Sequence, residues 1–134
     1  MTAVEPRIQV EYSENATIVT FTDEKILEEQ DIQALQNSIM SVVEQTEQIN
    51  LILDFSTVRF MSSAVLGFLI RLSKRLYEHN GLLGLCNIDS KIYEVFKITR
   101  LTKVFDIYDD VKSATKNLAD RRRQMLIEQE ESKK

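Results

Sequence analysis

The apolar residues of this chain change period repeatedly, and that switching constrains the fold more than any other feature. Ile8, Val10 and Tyr12 alternate along residues 7–13, and residues 16–22 (ATIVTFT) are rich in β-branched and aromatic types. Ser13-Glu14-Asn15 lies between them as a turn, so the two runs read as a β-hairpin. The period then becomes helical. Ile32, Leu35, Ile39 and Val42 form a stripe over residues 28–47, widened by Met40 and Val43, with Glu28, Glu29 and Asp31 at the positive end of the helix dipole. NLILDF, residues 50–55, reads as a short buried strand. A second helix follows over 63–79, with Val65, Leu69, Leu72 and Leu76 inside and Arg71, Lys74, Arg75 and Glu78 outside. Asn80-Gly81 ends it.

LLGLCNI, residues 82–88, is a further buried strand. Asp89 or Ser90 caps a short helix through Leu101, with Ile92, Val95 and Phe96 inward and Thr99 beside them. VFDIY, residues 104–108, reads as a short strand or extended segment, and a last helix starts near Asp109 or Asp110 with Val111, Ala114 and Leu118 inward. The order β-β-α-β-α-β-α-β-α predicts an α/β fold with a mixed sheet, parallel except at a hairpin edge. The runs 16–22, 51–55 and 82–87 should form its centre, with helices 28–47 and 63–79 packed on it. Leu53, Leu69, Leu72 and Leu85 should be core residues.

Composition narrows the function. A hydrophobic share of 43% supports a single packed core in 134 residues, and a net charge of -4 argues against nucleic acid as a partner. Three glycines and one proline imply short loops. No apolar run reaches the roughly 18 to 20 residues that cross a bilayer, and MTAVEPRIQV is not patterned as a signal peptide. The expectation is a cytoplasmic protein that meets no membrane.

Catalytic signatures are absent. The chain has no GxxxxGK[ST], GxGxxG, HExxH or CxxC, so neither a cofactor nor a metal is expected. The single histidine, His79, falls at a helix end on the wet side, and the single cysteine, Cys86, falls in a buried strand. Asp54 ends an apolar strand, where it can bond backbone amides of the next turn. Arg121-Arg122-Arg123 is followed by glutamates and lysines and reads as a solvated helix face. No acid–base pair is visible, so an enzyme is not expected.

One junction stands out. In DFSTVRFMSSAVLGFLIRL, two adjacent serines, Ser62 and Ser63, open the most apolar helix. A helix cap needs one hydroxyl. The second would stand at a helix N-terminus, where free N–H groups and the dipole favour an anion. A phosphate there would add about -1.5 to -2 charge to a neutral surface. That is a charge switch without a nucleophile.

These residues carry a resemblance. Asp54-Phe55-Ser56 with Val58, then Phe60-Met61-Ser62-Ser63, then Leu66-Gly67, are similar to the STAS family pattern D-x-x-x-V-x-F-[MI]-D-S-[ST]-G-L-G. The similarity is to the bacterial anti-sigma factor antagonists of the partner-switching kind, and the element order agrees over residues 5–118. The resemblance implies a STAS domain over 1–118 and a charged helical extension over 119–134. It implies a non-enzymatic module that binds an anti-sigma factor with serine kinase activity. Phosphorylation by that partner at Ser63 weakens binding, and a phosphatase restores it. The implied partner surface is Asp23, Glu24, Phe60, Met61, Ser62, Ser63, Ala64 and Gly67.

The chain departs from the pattern at several positions. Ser62 replaces the motif's acid, Ala64 its second hydroxyl residue and Val65 its glycine, while Asp23-Glu24-Lys25-Ile26 replaces a G-x-L-D stretch. Some family members bind partners without being phosphorylated. Two other readings remain open: a STAS subunit of a sensor or transport assembly, and a small-molecule or nucleotide receptor using the same helix end. Met125, Leu126 and Ile127 in the extension suggest a protruding helix that packs on a partner or on a second copy, as a homodimer through the C-terminal helix.

Overall fold

The computed structural model describes residues 2–5 and 7–132; Met1, Pro6, Lys133 and Lys134 lie outside the described residues, the last two being the end of the charged extension. The chain runs β1 (Thr2–Glu5), β2 (Ile8–Tyr12), β3 (Thr17–Phe21), β4 (Lys25–Ile26), α1 (Glu29–Glu44), β5 (Asn50–Asp54), β6 (Phe60–Met61), α2 (Ser63–Glu78), β7 (Leu82–Cys86), α3 (Ser90–Ile98), a 3-10 turn (Leu101–Lys103), β8 (Asp106–Tyr108) and α4 (Val111–Ser132). Six strands form one sheet in the order β1-β2-β3-β5-β7-β8. Its first two pairings are antiparallel and the rest parallel. The mixed sheet with an antiparallel edge is as the sequence predicts, and β3, β5 and β7 hold its centre.

Alternation along the strands divides the protein into two layers. Val10, Val19, Leu53, Leu85 and Ile107 are successive partners in one row across the sheet. That row faces α1, α2 and α3, whose Leu35, Ile39, Leu69, Leu72 and Phe96 fill the main core. Leu53, Leu69, Leu72 and Leu85 are all fully buried there. Each contributes about 1.5 to 3 kcal/mol by leaving water. Among the described residues the other face is covered by α4, through Ala114 and Leu118 against Ala16, Ile52, Leu82 and Cys86. Gly84 makes that approach possible, because a Cβ there would meet the Tyr108 ring at 3.2 Å and Leu118 at 3.4 Å.

Several details differ from the expectation. β1 adds a strand before the hairpin, and β4 and β6 form a separate two-stranded parallel pair. Two-residue strands are too short to leave a period. Val95 is not inward: it is 45% exposed, because α3 meets the core only through Ile92 and Phe96, and Val95 sits about 100° round the helix from Phe96. Thr99 is exposed too and folds its hydroxyl back to donate to the Val95 carbonyl at 2.7 Å. α3 ends at Ile98 rather than Leu101, since Arg100 takes φ 61° and breaks the helix.

The end of α2 uses Asn80 rather than Gly81 as its left-handed residue, at φ 59°. Asn80 N donates to the Tyr77 carbonyl and Gly81 N to the Leu76 carbonyl, which closes a Schellman motif. α4 continues unbroken through Leu118, and Arg122 and Met125 extend its docked stripe. No helix among the described residues is long and apolar enough to cross a membrane.

Candidate functional site

The site is built where β5 delivers the chain to α2. Asp54, at the end of β5, is buried, and its Oδ1 accepts from Ser56 N at 2.9 Å and from Asn87 Nδ2 at 3.0 Å. One carboxylate therefore ties the loop after β5 to the loop after β7. Phe55 and Val58 then sink fully into the core, Phe55 meeting Phe21 edge-on with ring centroids 4.6 Å apart. Those two anchors and a tight turn, with Val58 N donating to the Phe55 carbonyl at 2.9 Å, fix the five-residue loop. Its far end is stitched to the segment before α1. Arg59 N and Phe60 N both donate to the Glu24 carbonyl, and Ser62 N donates to the Ile26 carbonyl at 2.9 Å. Residues 23–27 and the start of α2 thus form one continuous surface.

The two serines have different tasks. Ser62 is the N-cap: its backbone is extended at φ -71° and ψ 150°, and its Oγ accepts from Ala64 N at 3.2 Å. Its carbonyl also accepts from Val65 N at 3.0 Å. Ser63 is the first helical residue, is exposed and takes no part in the cap. The position of the family motif's acid is therefore a capping position, a role that serine and aspartate share. What Ser62 omits is a negative charge beside Ser63, and the first turn of α2 carries no acid at all.

Every site residue named from the sequence belongs to this surface or its rim. Phe60, Met61, Ser62, Ser63, Ala64 and Gly67 follow one another from β6 into the first turns of α2. Phe60 is 48% exposed and carries the Lys25 ammonium over its ring, 5.4 Å from the centroid. Asp23 and Glu24 join them through the Glu24 carbonyl, but Asp23 turns its side chain to Arg7 Nη1 at 3.2 Å. Arg7 also holds Asp31 at the start of α1 at 2.7 Å.

Sequence reasoning missed four neighbours. Leu27, 51% exposed, directly follows the β4–β6 pairing; its signal was an apolar residue off the α1 stripe. Ile70 is exposed two turns along from Ser63 on the same side of α2. Lys25 and Arg59 gave no signal. Arg59 Nη1 donates to the Ser56 carbonyl at 3.0 Å, and the same guanidinium lies 4.0 Å from Asp89.

Gly67 is informative by what it does not do. A Cβ there would meet only the flexible tip of Arg71, at 3.5 Å, and its φ is not positive. Neither backbone conformation nor internal packing requires a glycine at that point.

His79 is the C-cap of α2, so it stands about 24 Å along the helix from Ser63 and cannot serve it as a base. The Cys86 thiol is pushed up to about 12, first by burial and then by Asp54 and Asp110, so it is no nucleophile near neutral pH. Among the described residues no cluster of three or more His, Cys, Asp or Glu side chains is placed to hold a metal ion. A small apolar-based cleft does exist, lined by Val43, Glu47, Leu76 and His79, but it lies at the opposite end of α2.

Comparison with known proteins agrees with this fold. The model of the family described as the STAS domain matches residues 7–114. An anti-sigma-factor antagonist (STAS) domain protein from Planctomyces limnophilus superposes with a TM-score of 0.74 at 20% identity, over 84% of this chain and 97% of that one. The Bacillus cell fate determinant SpoIIAA in its phosphorylated form is similar at a TM-score of 0.61 and 18% identity, over 85% and 97%. The murine anion transporter Slc26a9 contains a similar portion, at a TM-score of 0.63 and 18% identity, over 81% of this chain and 18% of the transporter. At such identities the likeness speaks for the fold.

Proposed function

The chain belongs to the STAS domain family, and from that premise we propose that it is a non-enzymatic regulatory module of the anti-sigma factor antagonist kind. Its partner is an anti-sigma factor with serine kinase activity. The partner docks on the start of α2, from Phe60 to Gly67, with Asp23, Glu24, Lys25 and Leu27 at the rim. Phosphorylation of Ser63 reverses the docking, and the protein works in the cytoplasm on transcription.

One observation supports this reading above the rest. Ser62 completes the helix cap by itself, which leaves the Ser63 hydroxyl exposed on a surface that two sets of backbone hydrogen bonds hold rigid. A rigid surface meets a partner with little ordering cost. Exposed Phe60, Leu27 and Ile70 around the hydroxyl supply the apolar contact that a neutral docking face uses. A phosphoryl group at Ser63 would be tolerated by the helix N-terminus and would place about two negative charges where the partner must desolvate. The cost therefore falls on the complex and spares the fold.

The Slc26a9 likeness supports a second reading, a STAS subunit of a transport assembly. Affinity purification of the tagged full chain from its native cell separates the two. A soluble kinase-type partner supports the first reading, and a membrane transporter supports the second. Incubation with that kinase and ATP, followed by mass spectrometry, should place phosphate on Ser63. Phosphate found only on Ser62 or Ser56 would move the switch to another residue.

A further inference from the structure

Helix α4 docks by one stripe. Val111, Ala114, Leu118, Arg122 and Met125 follow at steps of three or four residues and face the sheet or the loops at its edge. Arg122 locks the stripe down. Its guanidinium donates to Asn50 Oδ1 at 2.8 and 3.0 Å, to the Asn80 carbonyl at 2.7 Å and to the Gln48 carbonyl at 3.0 Å. After Met125 the stripe has no successor. Residues 126–132 are all exposed, about 10 Å of helix, and they begin with Leu126 and Ile127.

On the side of α4 turned away from the docked stripe lie Asp120, Arg123, Ile127 and Glu130, by the 100° step of a helix. Asp120 pairs with Arg123 within the helix at 2.9 Å. Beyond Asp120 the charges are ordered along the axis: Arg121 to Arg123 come first, and Glu128, Glu130 and Glu131 come last. Such an order is self-complementary when two copies run antiparallel. With Leu126 of one copy against Ile127 of the other, Arg123 faces Glu130 of the second copy, and the two-fold axis repeats the pair. A parallel crossing would set arginine against arginine and glutamate against glutamate.

We infer that the end of α4 is a docking surface for a second copy of this chain, crossing antiparallel through Leu126 and Ile127 between paired Arg123 and Glu130. A lipid surface fits the stretch poorly, because residues 119–132 carry three arginines against four carboxylates. The surface is also remote in sequence from the Ser63 patch, so the inference stands apart from the proposed partner. A crossing of about two turns buries less than the roughly 1,200 Å² of a stable complex, so the dimer is weak.

Sedimentation equilibrium of the full chain, from about 10 μM to about 1 mM, reads such an association. The mass should climb from monomer towards dimer. Ile127→Asp should hold it at monomer. Arg123→Glu should weaken the association roughly threefold or more, and adding Glu130→Arg should restore it to within about twofold. Circular dichroism of each variant checks that the helix is retained. A monomer mass across the whole range overturns the inference, as does an association untouched by Ile127→Asp. A double variant no tighter than Arg123→Glu alone overturns the antiparallel pairing.

Discussion

The two ends of α2 carry the same kinds of residue and use them in opposite ways. At its C-terminal end, Asn80 takes the left-handed turn and Gly81 is wedged against backbone: a Cβ there would lie 3.1 Å from the carbonyls of both Ile49 and Leu76. At its N-terminal end, a Cβ on Gly67 would make only an ordinary contact with the flexible tip of Arg71, and Ser63 is exposed beside a cap that Ser62 completes. One end has no freedom left. The other is held rigid from beneath and left bare on top. Small residues therefore serve the fold at one end and, on the proposed function, an outside partner at the other. The difference lies in what surrounds each residue.

Substitutions along α2 can break that contrast. The largest effect should come from its middle, where Leu69 is fully buried between the ends. Leu69→Ala should lower stability by about 2 to 5 kcal/mol in denaturant unfolding. A loss under about 0.5 kcal/mol, the range of surface sites, would mean that α2 does not pack as described. Gly81→Ala comes next, at about 1 to 3 kcal/mol, because backbone must shift to admit the methyl group. Ser62→Ala should cost about 1 kcal/mol through the lost cap. Gly67→Ala should have the opposite sign. It replaces a poor helix former where a methyl group fits without strain and should raise stability by about 0.5 to 1 kcal/mol while weakening binding of the proposed partner. Stabilisation with undiminished partner affinity would show that Gly67 is an ordinary surface residue.

Much of the layout was legible in the sequence, because burial on one side of an element forces a period. The stripes Ile32–Val42 and Val65–Leu76 and the runs around Val19, Leu53 and Leu85 lie where their periods place them. The Ser62 cap was legible because a hydroxyl directly before an apolar helical run has few other uses. Val95 misled because α3 is short and meets the core through only two residues. The β4–β6 pair was illegible because two residues define no period, yet that pair joins residues 23–27 to the site. Arg122 was hidden for a different reason. Two of its three partners are loop carbonyls, and a carbonyl has no signature in a sequence. An arginine run that reads as a solvated face thus contains a latch. It also joins the α4 end of the molecule to the loop that follows α2.

The division of labour between the two serines is tested most directly on Ser63→Glu, with partner affinity and unfolding midpoint measured on the same preparation. The carboxylate sits at a helix N-terminus that tolerates an anion, so stability should stay within about 0.5 kcal/mol of the parent. The same charge would have to be desolvated against the proposed anti-sigma factor, so affinity should fall about tenfold or more, or 1.4 kcal/mol per decade. Ser63→Ala should bind as the parent does and accept no phosphate. A Ser63→Glu variant that binds as tightly as the parent would contradict the account, because Ser63 could not then be the switch.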